Sequence, residues 1–143
     1  MPDWLPYESS WDTETLVNRL SGGENTYQDF KQTINEYYKI ARSIVAFANQ
    51  KGGSLFIGID DKGSVCGCQP RSEYFKLVDI LEHYCRPLPD VHCYVYDVDG
   101  LEVLEIDVAE GHKKPYASPD KSGKWKIYLR VADQCKQIGN LKG

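Results

Sequence analysis

Residues that could bind a polyanion are concentrated near the end of the chain. They are five cationic side chains and one tyrosine: Lys113, Lys114, Lys124, Lys126, Tyr128 and Arg130. The last four alternate along a segment with strand character, so we expect them to project from one face. Spaced cations with an intervening aromatic ring can follow a phosphate backbone and stack on a base. In the alternative, Tyr128 faces the core and Arg130 pairs with a carboxylate such as Asp61 or Asp29.

The distribution of charge supports this interpretation. The net charge of the 143-residue chain is −4, but residues 1–110 carry −10 and residues 111–143 carry +6. Such asymmetry is typical of a surface that faces a polyanion, although a lysine-rich loop that contributes only solubility has the same composition. The overall charge excludes a uniformly basic nucleic-acid coat. No helix-turn-helix with a basic recognition helix is recognisable, so base-specific readout is not expected.

Cysteine and histidine are not arranged as metal ligands. The five cysteines include Cys66 and Cys68 in a C-x-C pair, not the C-x-x-C spacing of zinc or redox sites, and the three histidines stand singly. An odd number of cysteines and an acidic start without a signal segment predict free thiols in a cytoplasmic protein. No segment approaches the roughly 20 apolar residues that span a bilayer, so no membrane partner is expected.

The elements that must position these residues are indicated by local patterns. Asp12 and Ser72 are expected to cap helices, Thr33 and Glu36 have the spacing of a capping box, and the Asp99–Gly100 pair is typical of a tight hairpin turn. The expected elements are a helix over 13–20, a strand over 27–33, a helix from 33 to about 49, a strand over 54–59, a return strand near 65, a helix from 72 to about 84, a hairpin over 91–108 and a strand over 125–131.

This order of elements predicts an α+β fold. We expect one domain over residues 1–143, with a mixed, mostly antiparallel sheet, two main helices and a short N-terminal helix. The segment after Val131 carries little pattern. We therefore expect the chain to be the N-terminal part of a longer protein.

Three motifs follow one another along the chain: GENTYQDFK at 23–31, IVAFANQKGG at 44–53 continued by LFIGIDDKG at 55–63, and Lys114–Pro115 followed by YLRV at 128–131. Together they resemble the motifs of the AlbA-like domain that Schlafen proteins share with many bacterial transcriptional regulators. Their order matches as well, and the resemblance covers roughly residues 14–137. It implies the AlbA-like fold and a function connected with nucleic acid.

The resemblance also implies a set of acidic residues. In Schlafen-type nucleases, two acids of the opening motif and one acid after the IG-x-D strand hold a divalent metal, Mg²⁺ or Mn²⁺, that cleaves RNA. Carried over, the metal ligands are Glu24, Asp29 and Asp61, with Asp60 as the alternative to Asp61 and with Lys31 beside the scissile phosphate. The family's second glutamate is Asp29 here, which is one methylene shorter. In the alternative, these are solvated acids and turn residues.

Binding rather than catalysis is therefore the main expectation from the sequence. The chain is expected to be the nucleic-acid-binding module of a bacterial transcriptional regulator, with DNA or RNA held mainly through phosphates; Mg²⁺ or Mn²⁺ is the candidate cofactor, and it belongs to the nuclease alternative. The first alternative is a metal-dependent endoribonuclease. The second is a protein-interaction or oligomerisation module, such as a homodimer, since aromatic residues such as Trp4, Tyr7 and Trp11 lie near the start.

Overall fold

The structure, a computed structural model, describes residues 1–141. This part of the chain contains eleven helices and strands. In chain order they are β1 (Tyr7–Ser9), α1 (Thr13–Ser21), β2 (Gln28–Lys31), α2 (Tyr37–Ala48), β3 (Gly53–Ile57), α3 (Pro70–His83), β4 (Val91–Val98), β5 (Leu101–Val108), β6 (Ala117–Pro119), β7 (Trp125–Val131) and β8 (Gln134–Asn140). The α+β class, the two main helices and the short N-terminal helix are confirmed. No helix among these residues is long and apolar enough to cross a membrane.

The strands form two separate sheets. The five-stranded sheet has the order β1-β4-β5-β3-β2, in which β1 pairs with β4 and β2 pairs with β3 in parallel, while β3–β5 and β4–β5 are antiparallel. The three-stranded sheet, β6-β7-β8, is antiparallel throughout. The predicted hairpin is present as β4 and β5. Asp99 and Gly100 have φ angles of 54° and 87°, as a tight hairpin turn requires.

Helix α2 lies between the two sheets. Its apolar residues recur at helical intervals, and every side chain from Ser43 to Ala48 is buried. The main core gathers α2, α3 and one face of the five-stranded sheet, whereas α1 covers a smaller cluster that includes Leu16, Phe56 and Tyr96. Because α2 has buried contacts over so much of its surface, it fixes the three-stranded sheet relative to the larger one.

Two of the three predicted helix caps are wrong. Asp12 does cap α1, where its carboxylate accepts a hydrogen bond from the backbone N–H of Thr15 at 3.1 Å. Glu36 precedes α2 without any side-chain cap, because Thr33 donates its hydroxyl to Glu73 of α3 instead. Helix α3 begins at Pro70, two residues before the predicted cap Ser72, since proline suits the first turn of a helix.

The last strand was not expected. Strand β8 pairs with β7 through a two-residue connection in which Ala132 has a φ of 55°. Neither residue of this Ala132–Asp133 connection is a glycine or asparagine, so the turn signal is weak. Most side chains of β8 are polar and exposed, and only long-range pairing with β7 identifies it as a strand.

Candidate nucleic-acid interface

Strand β7 turns one of its faces toward α2, and Arg130 lies on that face. Arg130 is only 3% exposed, and its Nη1 lies 3.6 Å from Oδ2 of Asp29, which is also buried. The Arg130 Nε donates to the carbonyl of Asn25 at 3.1 Å, and Nη2 donates to the carbonyl of Gln28 at 3.4 Å. The guanidinium thus ties β7 to β2 and the loop before it. The geometry matches the alternative in which Arg130 pairs with a carboxylate.

Tyr128 lies on the same buried face. It is 7% exposed, and the guanidinium of Arg42 lies 5.8 Å from the centre of its ring. The prediction that the alternating residues of β7 project from an exposed face is therefore wrong for Tyr128 and Arg130. The physical reason is that this face of the strand packs on α2. Polar side chains buried there need partners within the protein, and Arg130 has them in Asp29 and two backbone carbonyls.

The AFAN motif has a structural role in the same contact. The Asn49 side chain donates to the carbonyls of Tyr116 and Tyr128 at 2.9 and 2.8 Å and accepts from the N–H of Tyr116 at 2.6 Å. The neighbouring Gln50 accepts from the N–H of Arg130 at 2.6 Å. These bonds connect the end of α2 to the three-stranded sheet. They explain Asn49 better than the capping of its own helix.

The predicted lysines remain at the surface, with different surroundings. Lys113 and Lys124 are exposed and make no ion pair among residues 1–141. The ammonium of Lys114 lies 2.9 Å from Glu110, and that of the half-buried Lys126 lies 2.7 Å from Asp120. Two of the four lysines are therefore free to attract a phosphate, and two are partly neutralised.

The ion pair of Lys126 perturbs both of its members. The hydrogen bond from Lys126, helped by Ser122, holds the pKa of the Asp120 carboxyl below its ordinary range. The same hydrogen bond raises the pKa of Lys126. Both groups are therefore charged at neutral pH, and Asp120 offsets part of the positive charge of this lysine.

Three of the residues that the Schlafen resemblance identifies line one cavity. Glu24, Asp29 and Lys31 border a space of about 420 Å³, together with Lys39 and Arg42 from α2. The carboxylates of Glu24 and Asp29 both approach the N–H of Phe30, at 3.2 and 3.0 Å. The other oxygen of Asp29 accepts from Ser43 at 3.2 Å and faces Arg130. Both oxygens of Asp29 therefore already have partners in the interior.

The two acids after β3 lie elsewhere. Asp60 closes a turn by accepting from the N–H groups of Lys62 and Ser64, each at 2.9 Å, and Asp61 is exposed in the same turn. Neither borders the cavity at Glu24. Within residues 1–141 no three candidate ligands are close enough together to hold a metal ion. The predicted set Glu24, Asp29 and Asp60 or Asp61 therefore does not fit Mg²⁺ or Mn²⁺ in this arrangement.

One cationic group at the surface was not recognised from the sequence. The guanidinium carbon of Arg86 lies 3.9 Å from the centre of the Trp125 ring, next to Lys124. Arg86 follows α3 in a proline-containing connection, and no local pattern links it with a residue of β7. The backbone hydrogen bonds between Arg86 and Ala117 bring the two segments together.

Comparison with known proteins identifies the family. The family described as Schlafen, AlbA_2 matches residues 24–139. The DIP2311 protein of Corynebacterium diphtheriae is 21% identical with a TM-score of 0.57; the match covers 88% of this chain and only 27% of that one. The N-terminal domain of a Nitrosomonas europaea protein, named as related to the ATP-dependent DNA helicase RecG, is 20% identical with a TM-score of 0.58, covering 90% of this chain and 93% of that one. These two likenesses concern the fold. Because the family match extends over most of its length, the chain belongs to the Schlafen AlbA_2 family.

Proposed function

We propose that this chain is a nucleic-acid-binding module, that it contacts DNA or RNA mainly through phosphates, and that it forms the N-terminal part of a cytoplasmic bacterial transcriptional regulator. The observation that carries the proposal is the exposure of Lys113, Lys121 and Lys124 without an ion pair among residues 1–141, within a segment of positive net charge. Family membership supports a function connected with nucleic acid. The preceding residues 1–110 carry a net charge of −10, which repels a polyanion.

One of the paired lysines can also contribute. Lys114 holds Glu110 at the surface, and such an exposed pair is weak because water screens it. An incoming phosphate can therefore replace Glu110 as the partner at small cost, whereas the half-buried Lys126 keeps Asp120. Arg130 and Tyr128 have no part in this contact, since both are buried.

The experiment is a fluorescence-anisotropy titration of labelled duplex DNA and single-stranded RNA at two salt concentrations. Three phosphate contacts on duplex DNA give a slope of log K against log salt of about −2.7. The double variant Lys113→Glu/Lys124→Glu is expected to weaken binding and flatten this slope. Lys62→Glu, which reverses a single charge in the exposed turn after β3, is the matched control for Lys124→Glu alone. Absence of binding at low salt, or equal effects of Lys124→Glu and Lys62→Glu, overturns the proposal.

A metal-dependent endoribonuclease is the second candidate, and the cavity shared by Glu24, Asp29 and Lys31 is the observation in its favour. Its weakness is the position of Asp61, which does not border that cavity. Structured RNA incubated with Mn²⁺ is the test. Cleavage that disappears in both Glu24→Gln and Asp61→Ala supports the nuclease, whereas equal residual cleavage in the variants indicates a contaminating enzyme.

A homodimer is the remaining proposal about assembly. Trp11 is 90% exposed and Trp4 is 40% exposed, and both lie before α1. Large apolar side chains at the surface are typical of contacts with another protein. Light scattering decides this point, because a mass of one chain, 16.3 kDa, excludes the homodimer.

A further inference from the structure

A small cleft at the surface combines an aromatic ring with two cations. It has a volume of about 330 Å³ and is bordered by Trp125 and Lys124 of the β6–β7 segment, Arg86 of the connection after α3, and Asn140 at the end of β8. This volume lies at the small end of the range of about 300–1,000 Å³ for ligand pockets. The cleft is therefore suited to one ring-sized group with its substituents and not to a large ligand.

The backbone holds the two central residues of the cleft in place. Arg86 exchanges two hydrogen bonds with Ala117 of β6, at 2.9 and 2.7 Å. Trp125 pairs with Pro119 on one side, and its carbonyl accepts from the N–H of Leu141 at 3.0 Å on the other. The guanidinium stack on the indole is thus supported by fixed backbone on both sides. Such preorganisation lowers the entropic cost of binding a ligand.

The charge of Arg86 distinguishes this stack from those of Arg19 and Arg130. Arg19 and Arg130 also lie over aromatic rings, but each pairs with a carboxylate, Glu105 and Asp29 respectively. Arg86 is exposed and makes no ion pair within the described part of the chain. Its planar set of N–H donors is therefore available for a phosphate or a base edge.

We propose that this cleft receives one unpaired base of a single-stranded nucleic acid, with the base packed against the stacked Arg86 guanidinium and Trp125 indole and the adjoining phosphates against Lys124 and the N–H edge of Arg86. The inference rests on the proposed function and names its substrate class. Bases in a duplex are stacked on both faces, so they offer no free ring to an aromatic side chain, whereas unpaired bases do. Asn140 adds an amide at the edge of the cleft, where a base presents donors and acceptors.

The first experiment compares a labelled twelve-residue oligothymidylate with a labelled twelve-base-pair duplex at one salt concentration. Trp125→Leu is expected to weaken binding of the single strand by about tenfold and to leave duplex affinity within about twofold, since stacking is the interaction removed. Arg86→Gln is expected to act in the same direction. Phe75→Leu, which removes an aromatic ring that is 47% exposed on α3, is the control and leaves both affinities unchanged.

A second measurement leaves the cleft intact, which matters if Trp125→Leu does not fold. In the Trp4→Phe/Trp11→Phe variant, Trp125 is the only indole, because the chain has three tryptophans. Binding of the oligothymidylate is expected to quench its fluorescence. Binding to both probes without quenching, and without loss in Arg86→Gln, overturns this inference while the proposed function stands. Binding to neither of these probes, nor to the single-stranded RNA, at low salt overturns the proposed function itself.

Discussion

Replacing Arg130 by methionine tests whether this arginine stabilises the interior or contacts a ligand. The substitution leaves Asp29 buried at 4% exposure without its cationic partner, and it removes the bonds to the carbonyls of Asn25 and Gln28. Removal of one member of a buried ion pair costs about 3–5 kcal/mol. Because the closest N–O distance is 3.6 Å, longer than a strong charge-assisted bond, we expect the lower end, about 3 kcal/mol.

Urea unfolding at pH 7, monitored by circular dichroism, measures the loss in the free energy of unfolding. In thermal unfolding, a loss of about 3 kcal/mol lowers the Tm by about 6–12 °C in a chain of this size. Lys136→Met, on the neighbouring strand β8 and exposed, is the control, and it is expected to change the free energy of unfolding by less than about 0.5 kcal/mol. The Arg130→Met variant, where folded, is expected to retain the nucleic-acid affinity of the wild type.

A double-mutant cycle with Asp29→Asn measures the interaction between the two side chains. Since each single variant leaves an uncompensated charge, the double variant is expected to be more stable than the sum of the two losses predicts, by about 1–3 kcal/mol. Additive losses, or a loss below about 1 kcal/mol in Arg130→Met, refute the buried pair. A stable Arg130→Met variant with weakened nucleic-acid binding shows instead that Arg130 is a phosphate ligand.

Three further predictions follow from side chains outside the interface. Burial, together with the nearby Glu105, raises the pKa of Asp107, so its charged form destabilises the fold; Asp107→Asn is expected to increase stability at pH 7, with a gain in urea unfolding that shrinks as the pH falls toward 4. Gly52→Ala places a Cβ 2.6 Å from a backbone oxygen of β5 and is expected to lower the Tm more than Gly100→Ala, which meets no atom and costs only its left-handed backbone, about 1–2 kcal/mol. Burial raises the pKa of the Cys93 thiol to about 12, so a thiol reagent at pH 7.5 is expected to modify the exposed Cys66 first and Cys93 only after denaturation, as mass spectrometry can show.

Most of the fold could be predicted because its signals are local. The β4–β5 hairpin follows from alternation around Asp99–Gly100, and α2 follows from apolar residues at helical intervals. The errors occur where a distant segment competes for a side chain. Thr33 was expected to begin a helix, but its hydroxyl bonds to Glu73 of α3. Strand β8 was missed because its stability depends on β7 and not on its own polar pattern.

The candidate site was predictable in composition but not in geometry. The lysines from Lys113 to Lys126 do lie at or near the surface, as their charge requires. Alternation along β7 correctly grouped Tyr128 with Arg130, yet it could not show which face of the strand is buried. Both faces of β7 carry apolar or aromatic residues, so the pattern does not indicate which face is buried. The contact with α2 decides this.

By itself, the sequence determined the fold class, the family resemblance and the positive charge of the last segment, since these depend on residue types and short spacings. Only the tertiary structure decided that Arg130 faces Asp29, that Asp61 lies apart from Glu24, and that Arg86 meets Trp125. Those relations join segments far apart in the chain. They depend on how distant segments pack against one another, above all on the burial of α2 between the two sheets. The free energy of that burial comes from contacts between segments and cannot be read from any one of them.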